Sequence, residues 1–439
     1  MSTNSEAAPA TAEAREASRV NTLMFAKLMP LLVCGYLLNF LDRTNIALAK
    51  SALQADLGIG AAAYGLGAGL FFLTYSVCQV PSNLILQRVG ARRWITAIVL
   101  SWGCVSTAMA LVKGPESFYA LRVLLGIAEA GMFPGVMFYL TGWFGTKQRA
   151  QAIGYFLLGS AFANIIGGPI GGALLSLDGK IGLHGWQWLF LMEGAPAILF
   201  AFVVWKLLPD GPATAPWLTK AEADGVLARL AEERALANRT HDSIPVKAVF
   251  VNPHLLLAIL IYFCHQIALY GVTFFLPAII RSWGHLGEIQ IGMLTALPWL
   301  CTGLGTAFLP KLVMARNLSR PFVVTGFALM AISFAMPMFV SPVLALAAFC
   351  FGGIFLSSVQ SVLFTFPASR FHGAALAAGL GFLNTLGILG GFIGPYAIGL
   401  VEQSTGKASN GLLLMSGALV ISTLASLFLR YPFQDRAKA

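Results

Sequence analysis

The chain has 439 residues, of which 57% are hydrophobic and only 10% are Asp, Glu, Lys or Arg. A soluble chain carries about 25% charged residues, so this one has too few to cover a water-facing surface and is expected to lie in a lipid bilayer. A net charge of +10 can indicate a nucleic-acid partner. Here the basic residues lie in short loops between apolar segments, which is typical of membrane proteins and argues against nucleic acid.

Twelve apolar segments follow a polar N-terminal stretch, residues 1–22, which we expect to be a disordered cytoplasmic tail. Each segment is long enough for the roughly 20 helical residues that cross about 30 Å of hydrocarbon. Because only helices and closed barrels span lipid, and the segments lack strand-like alternation, all twelve are predicted to be helices. The predicted spans are 24–47, 60–86, 92–112, 116–142, 149–176, 187–208, 253–281, 289–312, 320–340, 342–368, 373–401 and 409–430.

The longest connection between spans, 209–252, divides the chain into six spans plus six. Within this connection Thr219 is suited to cap a charged amphipathic helix over residues 219–236, which we expect to pack beneath the bundle; a plain linker is the alternative. The predicted units are a tail (1–22), an N-terminal six-helix bundle (23–208), a cytoplasmic linker (209–252), a C-terminal six-helix bundle (253–431) and a cytoplasmic tail (432–439).

The distribution of basic residues predicts the orientation. If both termini are cytoplasmic, 21 Lys and Arg fall on the cytoplasmic side of the membrane. Only five then fall outside, namely Lys50, Lys113, Lys180, Arg281 and Lys407. Since cytoplasmic loops carry the excess of positive charge, this bias predicts cytoplasmic N and C termini.

The two halves of the chain contain matching features. A Gly- and Pro-rich stretch at 167–172 recurs at 390–395, and a basic loop at 88–93 recurs at 316–320, with offsets of 223 and 228 residues. These matches indicate a duplicated six-helix unit. The predicted fold is therefore an all-α membrane protein with twelve transmembrane helices in two pseudo-symmetric bundles, an arrangement that suits an alternating-access transporter.

Two pairs of opposite charges occur within the predicted spans: Asp42 with Arg43, and Arg122 with Glu129. A charge at the bilayer centre costs at least roughly 2.5–3.5 kcal/mol, so it persists mainly where it faces a cavity or a partner. Two alternatives remain open: Arg43 could snorkel to the headgroups, and Arg122 with Glu129 could form an ion pair that only stabilises its helix.

The depth of these residues suggests their chemistry. Arg43 and Arg122 lie at similar depth, and Glu129 lies two turns beyond Arg122 on the same helix face, about 10 Å deeper. Two guanidinium groups at one depth are suited to clamp a carboxylate. A carboxylate in a low-dielectric cavity is driven toward its neutral form and a nearby Arg opposes this, so Asp42 and Glu129 are candidate proton carriers.

Several stretches carry a resemblance to a known family. They are Asn39-Phe40-Leu41-Asp42-Arg43-Thr44-Asn45, with 80–84, 88–94, 122–135, 185–190 and 208–210. Over essentially its whole length the chain resembles the major facilitator superfamily. The closer likeness is to the anion:cation symporter family, especially its bacterial tartrate, phthalate and 4-hydroxyphenylacetate permeases. The resemblance implies the major facilitator fold, location in the bacterial inner membrane, and proton-coupled uptake of a small organic carboxylate.

The resemblance implies the same roles for the four charged residues and adds two substrate contacts. Tyr75 matches a substrate-lining tyrosine, although a packing aromatic is the alternative. Asn384 matches a substrate contact, with an interhelical hydrogen bond as the alternative. Ser160 and Phe40 replace polar residues that are common in sugar-acid members, which disfavours polyhydroxylated sugar acids.

Other functions compete with this hypothesis. A uniporter or anion exchanger could use the same scaffold, and a sensor that binds without translocating belongs to a different class. We expect no enzyme activity, no cofactor and no metal site, because hydrolase and nucleotide-binding motifs are absent and the six cysteines lack metal-binding spacing. Dicarboxylates, aromatic carboxylates and sugar acids remain candidate substrates. A monomer suffices, since one chain contains both halves.

Overall fold

The computed structural model describes residues 7–239, 245–371 and 373–429. Within these ranges the secondary structure consists of helices and turns, without a strand. Twelve stretches are long and apolar enough to cross a membrane, and each coincides with a predicted span. The prediction of an all-α membrane protein in two six-helix halves is confirmed.

The N-terminal half contains α1 (Ala7–Leu57), α2 (Ala61–Val89), α3 (Ala91–Ala108), α4 (Pro115–Glu129), α5 (Met132–Thr141), α6 (Thr146–Leu175) and α7 (Gly185–Leu207). The connection holds α8 (Lys220–Arg239) and α9 (Val246–Phe250). The C-terminal half contains α10 (Pro253–Arg281), α11 (Glu288–Ala315), α12 (Ser319–Ala335), α13 (Pro342–Leu363), α14 (Thr365–Ala368), α15 (Gly373–Gly387), α16 (Gly390–Thr405) and α17 (Gly411–Ser426).

The first helix begins earlier than the sequence predicted. It starts at Ala7, so residues 7–22 are helical where we expected disorder. Val20, Met24 and Leu28 recur at helical spacing and are buried, which continues the apolar face of the span toward the N-terminus. Residues 1–6 and the predicted tail at 432–439 lie outside the described ranges.

Three spans are interrupted. The fourth is divided between α4 and α5 immediately after Glu129, and the tenth between α13 and α14 at Phe364. Since these spans occupy corresponding places in the two halves, the breaks repeat the internal symmetry. The eleventh span is divided at residues 388–389, four residues after Asn384. Interrupted helices in transporters commonly lie at the binding site.

Backbone-to-backbone approaches join the two halves. A side-chain carbon on Gly168 of α6 would overlap the carbonyl group of Gly292 on α11, and one on Gly65 of α2 would overlap that of Pro395 on α16. Small residues allow this close packing of membrane helices. At the same end of the molecule Nζ of Lys50 lies 2.6 Å from both carboxylate oxygens of Glu402 in the other half. We call this the Lys50 end, and the opposite one the linker end.

The amphipathic helix of the connection packs against the N-terminal half. Ala223, Val226 and Leu230 of α8 are buried. Thr219 caps the helix as the sequence predicted: its Oγ1 accepts a hydrogen bond from the Glu222 backbone, and its N–H donates to the Glu222 carboxylate. The second contact holds the pKa of Glu222 below its usual range. The Glu222 carboxylate also pairs with Arg19 of α1, which ties this end of α8 to the first span.

Candidate functional site

The four charged residues singled out in the sequence are buried within the N-terminal half. Asp42 and Arg43 of α1 are 1% and 5% exposed, and Arg122 and Glu129 of α4 are 1% and 0% exposed. Arg43 therefore does not snorkel to a surface. Buried charges are costly unless they are paired, so the arrangement of their partners determines what the site can do.

Glu129 forms its ion pair with Arg43 and not with the arginine of its own helix. The Arg43 Nη2 donates a hydrogen bond of 2.8 Å to the Glu129 Oε2. Among the described residues, the other carboxylate oxygen, Oε1, is buried without a hydrogen-bond partner, as is the Arg43 Nε. The sequence alternative of an internal Arg122–Glu129 pair is not realised. Both members of the observed pair thus keep unused hydrogen-bonding capacity.

An aromatic cage surrounds the Arg43 guanidinium. It lies 4.8 Å from the centre of the Tyr75 ring, 5.0 Å from that of Phe40 and 5.1 Å from that of Phe71. The Arg122 guanidinium lies 4.8 Å from the centre of the same Phe71 ring. Phe71 thus brings the two guanidinium groups of the expected clamp to one side chain. Such cation–π contacts are worth about 2 kcal/mol or more when desolvated.

Arg122 has no carboxylate partner among residues 7–239, 245–371 and 373–429. Its Nε donates to the Gly67 carbonyl at 3.2 Å, and its Nη2 lies 3.5 Å from the Ala68 carbonyl. These carbonyls are accessible because α2 passes close to α4 through Gly67. The result is a buried cation that, within the described residues, has no carboxylate in direct contact.

Asp42 faces a different direction from its neighbour Arg43, because successive residues on a helix are about 100° apart. Its Oδ1 accepts hydrogen bonds from the Ser106 hydroxyl of α3 and from the Asn45 Nδ2 at 3.3 Å. Its Oδ2 is buried and has no hydrogen-bond partner in the part of the chain that the structure describes. The structure therefore separates the two predicted proton carriers: Glu129 is paired with an arginine and Asp42 is not.

Asn384 lies where the two halves meet. Its Nδ2 is 3.4 Å from the Oε1 of Gln79, and the Ser76 hydroxyl donates to the Thr385 carbonyl at 2.8 Å. These contacts join α2 to α15, which matches the alternative of an interhelical hydrogen bond. Tyr75 precedes Ser76 on α2, and its ring lies 4.8 Å from the Arg43 guanidinium.

Sequence reasoning missed several residues of this region. Phe71 was one of 32 phenylalanines and carried no distinguishing signal. Lys50 was assigned to an outer loop, although it is buried and paired with Glu402. Glu193 is 5% exposed on α7. It is the only acidic residue in the predicted span 187–208, which was a usable signal.

Two pseudo-symmetric six-helix halves, with unlike charges buried beside their interface, define a polytopic membrane transporter. Residues 32–395 match the model of the Major Facilitator Superfamily. The chain belongs to this family, and the predicted resemblance is confirmed. Membership identifies it as a membrane transporter and not an enzyme.

Relatives with recorded names cover nearly the whole chain. A quinolone resistance transporter of Acinetobacter baumannii is 40% identical, covering 95% of this chain and 96% of its own length. A putative tartrate transporter of Agrobacterium vitis is 37% identical, covering 94% and 95%. A putative metabolite transport protein, NicT, of Pseudomonas putida is 35% identical, covering 90% and 91%.

Solved structures of other transporters share the fold. A D-xylose–proton symporter superposes with a TM-score of 0.74 at 14% identity, covering 92% of this chain and 97% of its own. A bacterial homologue of the human lysosomal transporter Spinster, in an inward-facing and occupied conformation, gives 0.73 at 18% identity, covering 94% and 97%. At these identities the similarity concerns the fold alone.

Proposed function

We propose that the protein takes up a small organic carboxylate together with protons, by alternating access between its two halves. The substrate-binding side chains are Arg43, Arg122, Tyr75 and Asn384, and the proton-coupling side chains are Asp42 and Glu129. The partners of the protein are then the organic anion, protons and the lipid bilayer.

The observation that carries this proposal is the burial of the Arg122 side chain together with its hydrogen-bond partners. Its guanidinium is buried, touches the same Phe71 ring as Arg43, and donates only to backbone carbonyls within the described ranges. A planar fork of donors at such a place fits a carboxylate, which can accept two parallel hydrogen bonds. A bound anion would give the Arg122 guanidinium the direct carboxylate contact that it lacks within the described ranges.

Coupling follows from competition for Arg43. An incoming carboxylate that binds Arg43 displaces Glu129 from its 2.8 Å contact. A carboxylate that loses its arginine in a low-dielectric site binds a proton more readily, because burial penalises the charged form. Anion binding and proton uptake by Glu129 are therefore linked.

We further propose that the chain works as a monomer in the bacterial inner membrane, with both termini cytoplasmic. The functional units are the bundles 23–208 and 253–431 joined by the linker 209–252. The loop-charge bias supports this orientation, and the presence of both halves in one chain supports the monomer. The Lys50 end then faces outward and is closed by the contacts between the halves.

Uptake into proteoliposomes tests the proposal. The purified protein is given tartrate, an aromatic carboxylate, a sugar acid or a quinolone, with and without an inward proton gradient. We expect one or more of these anions to accumulate with the gradient and not after a protonophore is added. Glu129→Gln should retain exchange of internal for external anion but lose gradient-driven accumulation, whereas Arg122→Gln should lose both.

The control is Glu116→Gln, which changes an exposed carboxyl of α4 away from the site. Accumulation by Glu129→Gln against a gradient would remove Glu129 from the mechanism. Uptake that the proton gradient does not affect would indicate a uniporter or exchanger. Binding without uptake would indicate a sensor.

A further inference from the structure

A small cavity, with room for about one water molecule, lies between the two halves, beside the charged site. Its walls come from α1, α6 and α7 of the N-terminal half and from α10 and α11 of the C-terminal half. The polar side chains in its lining are Thr44, Asn45, Asn164, Glu193, Thr273 and Thr295. Glu193 is the titratable group among them.

The Glu193 carboxyl is buried in an unusual setting. Its Oε2 has no hydrogen-bond partner among residues 7–239, 245–371 and 373–429. Within the described ranges it forms no ion pair with Lys, Arg or His. An ionised carboxylate in such a place costs several kcal/mol, so the site is stable only while a proton or another cation neutralises it. A carboxyl that served packing alone could be replaced by an apolar side chain without this cost.

A polar side chain connects Glu193 to the charged site. The Asn45 amide donates to the Asp42 carboxylate at 3.3 Å, and Asn45 lines the same cavity as Glu193. Of the helices packed against α7, α1 carries the titratable group Asp42, whose charge interacts electrostatically with Glu193. The neighbouring α3 and α6 bring Ser106 and Asn164, which do not titrate in this range. The charge on Asp42 and the charge on Glu193 therefore oppose each other across Asn45.

We propose that Glu193 is a third proton-carrying carboxyl, loaded from the cavity and coupled to Asp42 through Asn45. This inference rests on the proposed proton-coupled uptake and adds one proton to it. An O–H bond forms on Glu193 with a proton from water that enters the cavity from one side. It breaks when the opposite side opens, and the proton passes to water there. Each transport cycle then moves one more positive charge inward.

The test measures charge and not rate. Proteoliposomes without a pH gradient, in sodium-free buffer, are held at an inside-negative potential of roughly 100 mV, where one elementary charge corresponds to ~2.3 kcal/mol. We expect Glu193→Gln to lower the accumulation ratio of the anion at this potential about fifty-fold relative to wild type, which is that energy expressed as a ratio. Anion exchange should persist, which shows that the variant is folded.

Two variants complete the design. Glu116→Gln should leave the ratio unchanged, because that carboxyl is exposed. Glu193→Asp keeps a titratable group, so it should keep the ratio while shifting the pH dependence of uptake. If Glu193→Gln does not fold, the Asp variant decides: a shifted pH dependence supports the inference and an unshifted one overturns it.

The outcomes separate this inference from the function on which it rests. A wild-type protein that moves the anion without protons refutes the proposed function itself. A proton-coupled wild type whose accumulation ratio is the same in Glu193→Gln refutes only the role of Glu193. Voltage-driven accumulation that appears only after sodium is added would also overturn the assignment of a proton to this site.

Discussion

The Phe71 ring determines how two like charges can lie close together in a buried site. Arg43 and Arg122 each lie about 5 Å from the centre of this ring, at 5.1 Å and 4.8 Å. The negative faces of an aromatic ring attract cations, so the ring partly offsets the repulsion between the two guanidinium groups. It also limits their rotamers, which lowers the entropy lost when both bind one anion.

Replacing Phe71 with Leu should therefore weaken anion binding while sparing the charged residues themselves. Because the ring holds both guanidinium groups in place before the anion binds, its loss is expected to raise Kd roughly tenfold. Binding measured by calorimetry on the purified protein checks this. Phe162→Leu is the matched control, since Phe162 is 52% exposed on α6 and should leave Kd unchanged. Equal affinities for the two variants would contradict a role for the ring.

The charged residues of the site were predictable, and their pairing was not. Ionic groups inside apolar spans are visible in a sequence because they are costly in lipid. Whether Glu129 pairs with Arg43 or with Arg122 depends on how α1 and α4 pack against each other. The periodicity of residues within a single helix does not determine that packing. Glu193 was recognisable for the same reason, because an acidic residue inside an apolar span is costly in lipid. The partner of Lys50 lies 352 residues away and has no local signal.

At the scale of elements, glycines set the distance between the halves. Gly168 of α6 faces the carbonyl of Gly292 on α11, where a side-chain carbon has no room. The glycine-rich stretch at 167–172 was visible in the sequence as a feature that recurs in the second half. The sequence did not predict which helix would lie opposite, because that helix belongs to the other half. The twelve spans themselves were predictable, since hydropathy and length decide them.

Gly168→Ala should push α6 and α11 apart at the Lys50 end. The expected results are a lower melting temperature in detergent and slower anion uptake. The added methyl group would meet the backbone of α11, which cannot move aside as a flexible side chain can. Gly154→Ala on the same helix meets nothing within 4 Å. It should raise stability by up to about 1 kcal/mol, because Ala favours a helix over Gly. Melting temperatures that shift in the same direction would refute close packing at Gly168.

At the scale of the whole molecule, the conformation is closed at the Lys50 end. The Lys50–Glu402 pair joins the two halves there, and Lys50 also lies 4.7 Å from the centre of the Phe275 ring on α10. Alternating access requires this contact to open in the other conformation. The pair therefore stabilises one of the two conformations and not the other, which is the condition for biasing their populations.

Reversing one charge should favour opening at this end. Lys50→Glu and Glu402→Lys each break a largely buried pair, a change that costs about 3–5 kcal/mol. Hydrogen–deuterium exchange should then increase in the facing segments 61–69 and 392–402. The double variant restores opposite charges and should restore protection. Protection in both single variants equal to that of wild type would show that the pair does not hold the halves together.

The Lys50–Glu402 pair also limits how such proteins can be recombined. A chimera that joins the first six helices of this chain to the last six of a relative would match loops and hydropathy without difficulty. It would take Lys50 from this chain and, from the relative, whichever residue occupies the position of Glu402. Unless that second parent supplies an acid at the position of Glu402, the hybrid would reach the membrane with a buried cation facing no counterpart. Halves for such a chimera must therefore be chosen by the residues at the interface between them as well as by the substrate that they transport.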